Sequence, residues 1–190
     1  MIDRRGLVLT LLGAGGTAAA LASLFISPRQ ALSLTKQDLS AGCSAANPQA
    51  AQLDPELRAE RRAQAGLPRA CDPLWDMMHR CHVGYDAKTG NYTLTPTPEI
   101  AALDGTTVRA RGFVLPLDGS DHTKHFLLGI NTPVCFYHPP GEPNEVMEVL
   151  SNQPIAWNDR PMTMEGRFAK INNGELGVFF RLEHASPALG

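Results

Sequence analysis

From Leu103 to the C-terminus the chain is punctuated as five extended segments separated by turn residues, and this constrains its fold more than any other feature. The segments cover about 107–117, 124–130, 145–150, 162–171 and 176–184, apolar-rich runs set off by turns that carry Gly, Pro, Asn or Asp. Asn172-Asn173-Gly174 is a tight-turn signal between the last two. Gly112 and Gly166 lie inside long segments, where a strand that must coil sharply takes a bulge. Five strongly bent antiparallel strands behind a helical preface predict a small barrel of the OB type, with a small open sheet as the alternative that shows the same pattern, so the fold class is mainly β (α+β).

Two helices precede the barrel. Asp54-Pro55-Glu56 offers an N-cap, a proline in the first turn and an acidic start, and the polar helix it opens is expected to end near Gly66. Asp72-Pro73-Leu74-Trp75 repeats this grammar and predicts a second helix to about His82. Leu74, Met77, Met78 and Cys81 share one face of that helix, and Asp76 can pair with Arg80.

The N-terminal third reads as an export device and a tether. Asp3-Arg4-Arg5-Gly6 precedes an uncharged run from Leu7 to Ile26, with small residues at Ala31 and Ser33, so residues 1–33 are expected to be a twin-arginine-like signal peptide and the protein periplasmic. The run is also long enough for a retained anchor, but its glycines and alanines make it weakly apolar for a permanent span. Leu39-Ser40-Ala41-Gly42-Cys43 leaves lipidation at Cys43 as a lesser alternative. Residues 34–70 then form a linker and the polar helix, and 71–190 the second helix with the barrel. Residues 1–33 hold three of the 17 basic residues and one of the 19 acidic ones, leaving 14 against 18 and a mildly acidic mature chain. No basic stripe is present, which argues against a nucleic-acid partner.

Within Asn131 to Asn144, between the second and third strands, Cys135 and His138 stand three residues apart in a segment with four prolines. A soft thiolate and a borderline imidazole that close make half a transition-metal site, and the prolines lower the entropy cost of holding it in shape. His122 and His125, just upstream, are the expected completing ligands, with Asp118 or Asp121 placed to orient His122. Cys81 and His82 are weaker candidates, since Met77, Met78 and Cys81 at helical spacing also suit a core face. His184 fits an ordinary strand position. Zinc and copper both match these donors. Four cysteines in an exported chain also allow two disulfides, and a Cys81–Cys135 bridge would staple helix to barrel and remove the thiolate from any metal site. A reactive Cys135 activated by His138 is a third possibility, without the second thiol of a dithiol redox pair.

The run Leu103-Asp104-Gly105, Val108 through Leu117, Phe126-Leu127-Leu128, Cys135-x-x-His138-Pro-Pro and Glu145 through Val149 resembles a family of exported bacterial proteins of unknown function. That family is marked by a Gly-Phe-x-x-Pro-Leu strand followed by a Pro- or Gly-rich loop with Cys-x-x-His or Cys-x-x-Cys; the likeness spans about residues 74–184. It implies a periplasmic small-β domain, often encoded beside ABC-type transport components and in some lineages under metal-responsive control. Only Cys135 and His138 carry over as site residues. Gly141 and His138 stand where other members have proline and a second cysteine, which leaves the preferred metal open.

Together these features predict a non-enzymatic periplasmic protein that binds zinc or copper for transport or delivery. Its expected partners are ABC-type transporter components or other envelope proteins, with no membrane span in the mature form. The alternative is a disulfide-stapled interaction module of an envelope transporter complex that holds no metal.

Overall fold

The computed structural model describes residues 57–189; the expected signal segment, the expected linker to residue 56 and Cys43 lie outside them. Three short helices and seven strands follow in the order α1 (Arg58–Gln64), α2 (Pro73–Met78), β1 (His82–Asp86), β2 (Asn91–Thr95), α3 (Pro98–Ala102), β3 (Thr107–Pro116), β4 (His122–Gly129), β5 (Val146–Ala156), β6 (Met162–Asn173) and β7 (Val178–Pro187). The last five strands close into a barrel in the order β3-β4-β5-β7-β6. All neighbours are antiparallel except β5 and β7, the arrangement of an OB-type barrel. Among the described residues no helix is long and apolar enough to cross a membrane.

Closure requires β3 to serve two partners. Its first half, to Gly112, pairs with β6, and Phe113 to Pro116 pair with β4. Gly112 is therefore a corner and not the expected bulge, because its pairing with β6 shows no register shift. A Cβ there would stand 2.7 Å from the Gly129 carbonyl oxygen and from Leu128 Cγ. At Gly166 the expected bulge is present: the register with β7 shifts between Glu165 and Arg167. The β6–β7 connection runs through residues 174–177 with its left-handed position at Gly177 (φ 65°), so it is longer than the tight turn expected from Asn172-Asn173-Gly174.

The barrel interior is filled by alternate residues, including Val108, Ala110, Val114, Phe126, Leu128, Met147, Val149, Met164, Phe168, Phe180 and Leu182. Helix α2 adds Leu74, Trp75 and Met78 to the same core. Two polar contacts fix its approach. Asp72 accepts from the Leu74 N–H at 2.8 Å as N-cap and from the Arg111 N–H at 3.0 Å, while the Trp75 indole donates to the Arg111 carbonyl at 2.7 Å.

Helix α2 ends at Met78, four residues before the expected His82, which instead opens the β1–β2 hairpin. The sequence carried that hairpin's signals: Asn91-Tyr92-Thr93-Leu94-Thr95 alternates exposed and half-buried residues, and Gly90 takes the left-handed conformation (φ 73°) at the turn. The Tyr85 and Tyr92 rings meet across it, tilted by 44° with centroids 4.9 Å apart.

Candidate metal centre

The loop from Ile130 to Glu145 leaves the barrel between β4 and β5 and returns over α1. Its two ends are joined by a backbone bond from the Ile130 N–H to the Glu145 carbonyl (3.0 Å), and the Ala70 N–H reaches the Ile130 carbonyl at 2.7 Å. The buried Glu145 carboxylate organises this base. It accepts from Arg69, the Asn131 amide and the Glu142 N–H, and it meets His79 Nε2, each contact 3.1 Å long. Burial acts to raise the Glu145 pKa, but the bonds from His79 and the Glu142 N–H and the charges of His79 and Arg69 outweigh it, so the group is held below the ordinary glutamate value. Gly141 must be small here, since a Cβ would fall 2.7 Å from Glu145 Cβ.

Helix α1 locks the distal half of the loop. The Arg61 guanidinium donates to Glu142 (3.0 Å), to the carbonyls of Pro139 (3.2 Å) and Gly141 (2.9 Å), and to the side chains of Gln64 (3.1 Å) and Glu60 (3.4 Å). A planar fork of fixed donors can span a helix and a turn in this way, where a lysine ammonium could not. Gln64 adds a bond to the Thr132 carbonyl at 3.4 Å. The same face of α1 presents Glu60, whose Oε2 lies 2.8 Å from His138 Nδ1.

Cys135, His138 and Glu60 thus converge, with one donor atom from each within 4.8 Å of the others. It is the one such group of three among the described residues. Cys135 is a thiol, half-buried, and its sulfur accepts from the Tyr137 N–H at 3.4 Å. His138 faces solvent, while the Glu60 side chain is largely covered. The donor set is one sulfur, one nitrogen and one oxygen.

The other candidates lie elsewhere. His122 and His125 do not join the group, because β4 carries them on its outer, exposed side. There His125 Nε2 pairs with Glu148 at 2.6 Å, and Arg181 binds the second Glu148 oxygen at 2.7 Å. Asp118, expected to orient His122, instead accepts from the Ser120 and Thr123 hydroxyls at 2.7 and 2.9 Å. His82 is exposed on β1, and Cys81 is buried in the core, where desolvation raises its pKa. The Cys81–Cys135 bridge is not formed. Both residues are thiols, with Cys81 beneath α2 and Cys135 on the loop surface, while Cys71 is disulfide-bonded. Glu60 escaped the sequence reading because it sits in a polar helix 75 residues before Cys135, with no spacing signal to link them.

These elements define a small OB-type barrel with a proline-stiffened loop that presents a three-donor cluster against an N-terminal helix. The chain belongs to the DUF3299 family, described as proteins of unknown function, which it matches over residues 50–177. It is similar to a DUF3299 protein of known crystal structure from Pseudomonas aeruginosa at 23% identity, over 52% of this chain and 69% of that one, with a TM-score of 0.41. No curated protein matches it.

Proposed function

We propose that this protein binds a transition metal at Glu60, Cys135 and His138 and serves metal transport or delivery in the periplasm, without catalysing a reaction. The observation that carries this reading is the convergence of the three donors within 4.8 Å on a clamped loop. Thiolate, imidazole and carboxylate together suit zinc, which takes all three ligand types; cuprous copper favours the sulfur and nitrogen but gains little from a carboxylate. Two anionic donors also match a dication. Three protein ligands leave a fourth position of a tetrahedral zinc site open, and the exposed imidazole gives solvent access to it, as ligand exchange with a partner requires. The N-terminal export signature supports the compartment, and ABC-type transport components or other envelope proteins are the natural recipients.

The test is a zinc and cuprous copper titration against competing chelators, comparing the protein with its Cys135→Ala and Glu60→Gln variants. Zinc affinity should fall at least tenfold in each. Equal, weak binding by all three proteins would sink the proposal.

One observation favours an interaction module as a second reading. Phe136, Tyr137 and Trp157 are 64%, 92% and 44% exposed, and the Phe136 and Trp157 rings lie 6.0 Å apart. Grouped aromatic exposure of this kind marks binding surfaces. The two readings are compatible, since Phe136 and Tyr137 are the residues between Cys135 and His138.

A further inference from the structure

The cluster has a neighbour that the metal alone does not explain. A cavity of about 420 Å³ adjoins it, walled by Tyr92, Tyr137, His138, Pro139, Pro143 and Glu175. His138 is the one member of the donor group that lines this cavity, so the space approaches the site from the imidazole side. Its volume lies within the range of small-ligand clefts. Tyrosine rings and proline faces offer flat apolar walls. Glu175 is the one acidic residue in the lining, and it is exposed. The Arg61 guanidinium also lines the cavity, but it is already committed to Glu142, to two loop carbonyls and to the side chains of Gln64 and Glu60, so it is poorly placed to recruit an anion.

We propose that this cavity binds a small zwitterionic amino acid with a flat side chain, which completes the coordination of the metal. The inference rests on the zinc-binding reading above and names what occupies the open position. The amino acid's carboxylate or ring nitrogen takes the fourth place on the metal, its ring lies among Tyr92, Tyr137 and the prolines, and its ammonium group faces Glu175. The cargo is then a metal–amino acid complex, held by three protein donors and the cavity walls. No bond to the protein other than coordination is made or broken.

L-histidine, which carries all of these groups, is the probe. Calorimetric titration of L-histidine into the whole protein, with and without zinc, should show binding at least tenfold tighter to the zinc-loaded form. Glu175→Gln and Glu175→Lys should weaken that binding at least threefold and leave the affinity for zinc alone unchanged, since Glu175 is outside the donor group. Equal L-histidine binding to the two forms, no binding, or removal of zinc without a ternary complex overturns this inference while the zinc site stands. Failure of zinc itself to bind overturns both.

Discussion

Replacing Glu145 with glutamine tests whether a buried carboxylate holds the Cys135–His138 loop in place. The substitution keeps the volume and changes only the pattern of donors and acceptors. In the native protein one carboxylate oxygen faces Arg69 and His79, and the other faces the Asn131 amide and the Glu142 N–H. An amide has one oxygen, so with that oxygen kept on Arg69 and His79 its NH₂ points at the Asn131 amide and the Glu142 N–H, both of which donate. Two bonds to a charged acceptor are lost at about 1.5 kcal/mol each, and a flip of the Asn131 side chain recovers about 1 kcal/mol, leaving a net cost of about 2 kcal/mol. For a protein of this size that corresponds to roughly 4–8 °C in Tm. Urea denaturation at pH 7 measures it, with Glu165→Gln on the exposed Arg109 pair as the control, expected to cost no more than about 0.5 kcal/mol. The pH dependence gives an independent check. Because the Glu145 pKa is depressed in the folded state, its stabilisation is fully present above the unfolded value of about 4.3 and disappears as pH falls through the lower folded value. The two proteins should therefore differ at pH 7 and converge in acid. A cost at pH 7 equal to the control's, or a difference that persists unchanged in acid, would refute this account of the loop.

Three further outcomes follow from the same contacts. Arg61→Lys keeps the charge but loses the fork that spans Glu142, Pro139 and Gly141, so zinc affinity should fall about 10- to 100-fold, as for other residues that orient ligands, with little change in circular dichroism. His125→Ala should leave zinc affinity unchanged, because His125 is engaged with Glu148 outside the donor group; a large loss by competition assay would move the site to β4. Thiol labelling followed by peptide mapping should modify Cys135 quickly in the native protein and Cys81 only on unfolding, since Cys81 is fully buried with a raised pKa; added zinc should slow labelling at Cys135.

Much of the barrel was legible in advance because its signals are local. Alternation and turn residues sit within a few positions of each other, so the five strands appear in the sequence close to where they form. Gly166 announced its bulge for the same reason. Gly112 was misread because a glycine kept small for a bulge and one kept small for the close approach of a neighbouring strand leave the same mark. Sequence spacing carries the second helix too far because Met77, Met78 and Cys81 satisfy helical spacing, yet Cys81 reaches the core from the turn after α2, where the chain already heads into the hairpin.

The site divides in the same way. The sequence by itself determined that Cys135 and His138 would lie together on a stiff loop, since three residues and four prolines leave the chain little freedom to separate them. Only the tertiary structure decided the third donor. Glu60 meets His138 because Arg61, Gln64 and the buried Glu145 network dock α1 against a loop about 75 residues further on. Only the fold, likewise, kept Cys81 in the core and Cys135 at the surface, both as thiols. Contacts between distant segments depend on which faces pack together, and that depends on the whole core, so no local pattern records it.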